Sequence, residues 1–159
     1  MSPRAACRLE LLGFERVYDY VPGKSDWLAR GLPFEGSAAS VPRVGAFARD
    51  DVITCRLEDR VDEVGPRVAS SHYGYALVTT AAGTVLGRLR TTAIESASRE
   101  ATAASRMEPG PSTVRPDLRA AELAQRLQTR GLRTAIVTTP EGRLLGVVRR
   151  EELERATST

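Results

Sequence analysis

A single shift of 59 residues maps the middle of this 159-residue chain onto its end without a gap. It pairs Thr54 with Thr113, Arg56 with Arg115, Val78-Thr79-Thr80 with Val137-Thr138-Thr139, Gly83 with Gly142, Leu86 with Leu145, Gly87 with Gly146 and Arg90 with Arg149. Chance supplies isolated matches. A register held across a whole unit marks two copies of one supersecondary block.

The two copies predict the same order of elements. A short strand (52–55 or 112–115) leads into a helix whose apolar positions recur every three or four residues: Val61, Val64 and Val68 in one copy, Ala120, Leu123, Ala124 and Leu127 in the other. Gly131 suits the left-handed residue that closes the second helix. Then "YALVTTAAGTVLGRL" and "TAIVTTPEGRLLGVV" each read as strand, glycine turn and strand, with Pro140 and Gly142 supplying the dihedrals of a hairpin. Final helices are expected at 91–98 and 150–156. A β-α-β-β-α unit of this length cannot bury both faces of its sheet alone. The expected fold is therefore α+β, with the two units packed about a pseudo-two-fold axis and clefts left between them.

Composition narrows the function classes. With 42% hydrophobic and 27% charged residues the chain reads as a soluble globular protein. No apolar stretch is long enough to span a bilayer, and the N-terminus lacks the apolar core of a secretory signal, so no membrane partner and a cytoplasmic location are expected. Net charge is +3, but acids are interleaved with the bases and Lys24 is the only lysine among 23 basic residues. A scatter of arginine with 5% aromatics argues against nucleic acid as the partner. Cys7 and Cys55 have no metal spacing and are expected to be reduced, half-buried thiols. His72, the only histidine, has no nucleophile or carboxylate placed around it by the sequence. Tyr73 and Tyr75 read as core or rim aromatics.

The order of elements, with "STVRPDLRAAELAQRLQTRGLRTAIVTTPEGRLLGVVRREEL" in the second copy and "DVITCRLEDRV" and "YALVTTAAGTVLG" in the first, resembles a tandem pair of cystathionine-beta-synthase (CBS) domains, the Bateman module. The corresponding division is a first repeat at 50–98 and a second at 112–156, with linkers at 37–49 and 99–111. The resemblance implies a regulatory, non-enzymatic module. It implies a homodimer whose inter-repeat clefts bind an adenosine-containing ligand such as AMP, ATP or S-adenosylmethionine. The regulated protein is not written in the chain.

In that family the junction after the last strand tends to read Gly-x-x-Ser/Thr-x-x-Asp, the carboxylate accepting from the ribose hydroxyls and the hydroxyl meeting phosphate at a helix N-terminus. Here the second copy offers Gly146, Arg149 and Glu152, and the first offers Gly87, Arg90 and Ala93. Glu152 keeps an acceptor, whereas Ala93 cannot accept a hydrogen bond, so the first copy's junction has lost the ribose contact. Arg149, Arg150 and Arg90 can clamp phosphate, or can be solvated helix-start charges, with Arg149 and Arg150 paired to Glu152 and Glu154. Thr113, Val114 and Thr54 fall on the first strands, where the family's backbone contacts adenine. As β-branched residues they also suit a strand with no ligand. A ligand-free dimerisation or interaction module is the alternative reading.

Residues 1–36 differ in character. Ser2 as N-cap, Pro3 at the first helical position and Gly13 beyond the end punctuate a helix. "FERVYDY" reads as a strand, and "VPGKSDWLARGLP" as a turn and short helix closed by Gly31. This resembles the C-terminal part of a rhodanese-like sulfurtransferase domain. Cys7 falls inside the helix rather than in the loop before it, so the implied protein is a relative that has lost its catalytic cysteine. Trp27, Leu28 and Phe34 are expected to form an exposed apolar face suited to a dimer contact.

Overall fold

The computed structural model describes residues 2–37 and 39–157. Its helices are α1 (Ser2–Leu11), α2 (Gly23–Ala29), α3 (Val61–Ala69), α4 (Thr91–Glu95), α5 (Ala103–Arg106), α6 (Ala120–Thr129) and α7 (Arg150–Thr157). The strands are β1 (Thr54–Cys55), β2 (Tyr75–Thr79), β3 (Val85–Arg90), β4 (Glu108–Pro109), β5 (Thr113–Val114), β6 (Thr134–Thr138) and β7 (Leu144–Arg149). They form two sheets, in the orders β1-β2-β3-β4 and β5-β6-β7.

The duplication is preserved down to its irregularities. Thr54 faces Leu77 and Val78 faces Gly87 in the first sheet; Thr113 faces Ile136 and Val137 faces Gly146 in the second. The bulge between Val78 and Thr79 recurs between Val137 and Thr138. Three clusters then build the interior. Val61, Val64 and Val68 pack under Ala76, Val78 and Leu89 in the first repeat, and Leu123, Leu127 and Leu153 under Val137 and Val148 in the second. Tyr75, Leu77, Ile136 and Val147 join the two sheets. Successive residues of β2, β6 and β7 thus serve opposite faces, which is why these strands are apolar runs without alternation.

The hairpin tips also meet across the pseudo-two-fold axis. Thr84 bridges Arg143, the Val85 N–H donates to the Gly142 carbonyl at 3.0 Å, and the Leu144 N–H donates to the Gly83 carbonyl at 2.9 Å.

The expected linkers carry structure. Residues 42–49 form a strap with a 3-10 turn at Val44–Phe47, and the strap crosses onto the second repeat. The Val44 N–H donates to the Leu118 carbonyl and the Ala120 N–H to the Pro42 carbonyl, both at 2.9 Å, and the Val44 side chain is fully buried. The segment before the second repeat returns the exchange. Ala103 is buried in the first repeat, the Val61 N–H donates to the Ala101 carbonyl at 2.9 Å, and β4 pairs with β3. Each repeat is completed by the segment that precedes the other.

Gly146 and Gly87 make this exchange sterically feasible. Arg49 and Val147 trade backbone hydrogen bonds at 3.0 and 2.8 Å, and a Cβ on Gly146 would collide with the Arg49 backbone. A Cβ on Gly87 would meet Met107 and the Glu108 carbonyl.

The N-terminal extension departs furthest from expectation. The helix 2–11 and the α2 turn form, and Gly31 takes positive φ, but residues 14–20 run as irregular chain with no partner strand among the described residues. The cap expected from the Ser2 side chain lies outside the described side chains. Trp27, Leu28 and Phe34 are half-buried rather than exposed. Trp27 stacks edge-on to Tyr20 and donates to the Pro33 carbonyl at 2.8 Å, while Phe34 lies under the Arg43 guanidinium. Arg30 reaches Glu141 at 2.9 Å and Arg115 reaches the Ser25 carbonyl at 3.1 Å, fastening α2 to the second repeat. Instead, Leu9, Leu11, Leu12, Phe14, Tyr18 and Val21 are the exposed large apolar residues of this extension. The two thiols also diverge from half-burial, Cys7 being exposed on α1 and Cys55 buried in the core.

Candidate functional site

The junction of β7 and α7 lies on one wall of an inter-repeat cleft. Strand pairing of Thr134 with Arg149 ends at this point, and the Arg150 N–H donates to the Arg133 carbonyl at 2.8 Å as the helix begins. Arg149, Arg150 and Glu152 are thereby delivered to one rim. The facing wall comes from the other repeat and its lead-in: Arg49, Asp51, His72 and Tyr73.

Two cross-repeat contacts tie the walls together. Arg149 Nη2 lies 3.1 Å from Asp51 Oδ2 and donates to the Tyr73 hydroxyl at 3.3 Å, with its guanidinium 5.0 Å from the Tyr73 ring centroid. The Tyr73 hydroxyl in turn donates to Asp51 Oδ1. Burial, and then the hydrogen bond to Asp51, hold the Tyr73 hydroxyl above its ordinary pKa. The second contact is an ion pair of 2.7 Å between Arg49 Nη2 and Glu152 Oε1. The pairing of Arg149 with Glu152 expected from helical spacing does not form; only Arg150 keeps its helical partner, Glu154, at 3.2 Å.

Space remains on both sides of these contacts. A cavity of about 440 Å³ is lined by His72, Tyr73, Arg133, Thr134, Arg149, Arg150 and Glu151. A neighbouring hollow of about 460 Å³ is lined by Ala46, Phe47, Ala48, Arg49, Glu152, Arg155 and Ala156. The first is strongly cationic, with three guanidinium groups against one carboxylate at the positive end of a helix. The second is lined by Glu152, whose side chain is only 13% exposed. Together they offer an acceptor pair beside an anion-holding pocket.

The second cleft is chemically different. Arg90 lines it with Thr113 and Val114, alongside Tyr75, Arg88, Arg126 and Arg130, around a cavity of about 210 Å³. Ala93 stands on α4 at the place of Glu152. The carboxylate present here is Glu108, the strap residue equivalent to Arg49, and it pairs with Arg90 at 2.7 Å and Arg88 at 2.9 Å. Those two arginines, Arg88 first, hold the Glu108 carboxyl below its usual range.

The structure therefore divides the expected site residues. Arg149 and Arg150 line one cavity and Glu152 the hollow beside it, while Arg90, Thr113 and Val114 share a third space, where a strand of one repeat meets the helix junction of its twin. Thr54 is exposed on β1, its carbonyl accepting from Arg67 at 3.1 Å. Reading the sequence missed Arg49, Asp51 and Arg133, and gave Tyr73 a packing role only. Arg49 ends the strap and Asp51 follows it on the way into β1, a stretch with no repeat signal, and Arg133 sits in a turn.

Comparisons with known proteins agree with this architecture. Residues 103–158 match the family model for the CBS domain, starting at α5. Among curated proteins no sequence matches this chain. In structure the chain is similar to the cytosolic domain of the Mg2+ channel MgtE in complex with ATP, with a TM-score of 0.64 and 22% identity over 72% of this chain. The match spans 48% of that protein, about half its length. It is also similar to CBSX2 from Arabidopsis thaliana in complex with AMP (TM-score 0.62, 18% identity, covering 74% of this chain and 96% of that one). A CBS domain pair in complex with 5′-methylthioadenosine and S-adenosyl-L-methionine matches with a TM-score of 0.59 and 16% identity, over 74% of this chain and 97% of that one. At these identities the likeness establishes the fold, a mixed α+β pair of CBS-type repeats.

Proposed function

From the fold of a CBS-domain pair as premise, we propose that this chain is a non-enzymatic regulatory module that binds an adenosine-containing ligand in the cleft at the β7–α7 junction. The observation that carries the reading is that the β7–α7 junction presents the Glu152 carboxylate to one hollow and Arg149 and Arg150, with Arg133, to the cavity beside it. A ribose diol needs two acceptor oxygens and a phosphate needs fixed cationic donors, and this rim presents both. Tyr73 supplies an aromatic wall. The similar solved structures named above hold ATP, AMP and S-adenosyl-L-methionine, which supports an adenosine-containing ligand. Within that class three arginines favour ATP or AMP over S-adenosylmethionine, whose sulfonium is itself a cation.

A thermal-shift panel tests this. A ligand at a hundred times its dissociation constant stabilises by about 2.7 kcal/mol, which raises the midpoint of a domain this size by roughly 5 to 10 °C. ATP or AMP is expected to give that shift in wild type and to lose it in Glu152→Ala. Flat curves at millimolar nucleotide would instead support a ligand-free interaction module. That second reading rests on one observation: Arg149 and Glu152 already hold protein partners across the cleft. The homodimer implied by the same resemblance is read from the mass of the particle in solution.

A further inference from the structure

We infer that Arg49 is an intramolecular competitor for the ligand-binding carboxylate, a side-chain gate that must swing away from Glu152 before a ribose can be held. The inference rests on the reading of Glu152 given above, and it concerns what occupies that residue when no ligand is bound.

Three observations carry it. Arg49 Nη2 sits 2.7 Å from Glu152 Oε1, so one of the two oxygens that a ribose diol requires is already engaged. The burial of the partners is unequal: the Glu152 side chain is 13% exposed and that of Arg49 is 54% exposed. The carboxylate is thus shielded by a guanidinium that has open solvent to move into. Finally, the Arg49 backbone is fixed independently of its side chain. Its N–H and carbonyl are both bonded to Val147, at 3.0 and 2.8 Å, over the bare Gly146. Displacement of the guanidinium therefore leaves the strap in place.

The device exists in one cleft only. The equivalent strap residue in the other is Glu108, which faces Arg88 and Arg90, and the equivalent helix residue is Ala93. A duplication that began symmetric now carries a closable acceptor on one side and none on the other.

Calorimetric titration of AMP and ATP into wild type, Arg49→Gln, Arg49→Lys and Glu152→Gln tests the gate. Breaking a partly exposed ion pair of this kind releases about two- to fivefold in affinity. Arg49→Gln is expected to bind AMP and ATP more tightly by the same factor, because both share the ribose, while Arg49→Lys stays near wild type. Binding by Arg49→Gln with none detectable in wild type would equally support the gate. Unchanged affinity in Arg49→Gln would overturn it, as would weaker binding that falls more for ATP than for AMP, which would make Arg49 a phosphate contact. In both of those cases Glu152→Gln still loses binding and the ribose assignment stands. Binding that is equal in wild type and Glu152→Gln, or absent from all four proteins, removes the Glu152 reading itself and the gate with it.

Discussion

Tyr75 and Thr134 hold the same place in the two repeats and yet touch each other, the Tyr75 hydroxyl lying 3.4 Å from Thr134 Oγ1. Two equivalent positions can meet only close to the axis that relates them. The pair therefore marks the centre of the inter-repeat interface, among Leu77, Ile136 and Val147. A hydrogen bond this long contributes little, whereas the buried ring fills the space between two sheets. Tyr75→Phe is expected to cost less than about 1 kcal/mol of unfolding free energy. Tyr75→Ala is expected to cost about 3 to 5 kcal/mol. Urea denaturation of the two variants measures the difference.

Gly146 is required because the strap passes over it. Any side chain there meets the Arg49 backbone, and the residue already has a φ of 148° that only glycine adopts freely. Gly146→Ala is expected to destabilise by about 1 to 3 kcal/mol and to speed amide exchange at Arg49 and Val147. Hydrogen exchange followed by mass spectrometry reads both ends of that contact.

How far this arrangement was legible in the sequence depends on what each segment packs against. The 59-residue register predicted the strand pairings, because Val78, Gly83, Gly87 and their partners satisfy local geometry that both copies share. It also located the β7–α7 junction, since Gly146, Arg149 and Glu152 lie on continuous, periodic elements. The straps were invisible for the opposite reason. No residue from 42 to 53 is identical to its partner 59 positions on, the elements are four residues or fewer, and their partners lie in the other repeat. Arg49 and Asp51 became site residues only through that long-range docking. The irregular stretch 14–20 has strand-like composition but no neighbouring strand among the described residues to complete a ladder, and β-propensity without a partner does not make a strand.

Cys55 offers a pH test of the first repeat's core. Burial, and then the nearby Asp59, push its thiol up to about 11. An unfolded chain ionises this thiol near 9.0, its ordinary value, while the folded chain keeps it protonated. Stability is then unaffected below pH 9 and falls between pH 9 and 11, by about 2 to 3 kcal/mol for a shift of this size. Cys55→Ala, compared with wild type across that range, is expected to lose the slope. In the folded protein a thiol reagent is expected to modify exposed Cys7 and to reach Cys55 only on unfolding.

The asymmetry of the clefts predicts a gain of function. Ala93, packed against the first repeat's core, leaves the start of α4 without an acceptor, while the nearby cleft holds Arg88, Arg90, Arg126 and Arg130. Ala93→Asp restores a carboxylate on the same helical face. Calorimetry with ATP is expected to give one site per chain in wild type and two in Ala93→Asp. An unchanged stoichiometry would mean that Glu108, held by Arg88 and Arg90, keeps this cleft closed.

The most direct measurement is an amide NMR titration of the whole chain with ATP. Shifts are expected to cluster at Tyr73, Gly74, Thr134 and Arg149 through Glu152, and to disappear in Glu152→Ala. Shifts confined to Ala93, Thr113 and Val114, or spectra of wild type and Arg49→Gln that both fail to respond to millimolar ATP, would contradict the assignment of the ligand to the β7–α7 cleft.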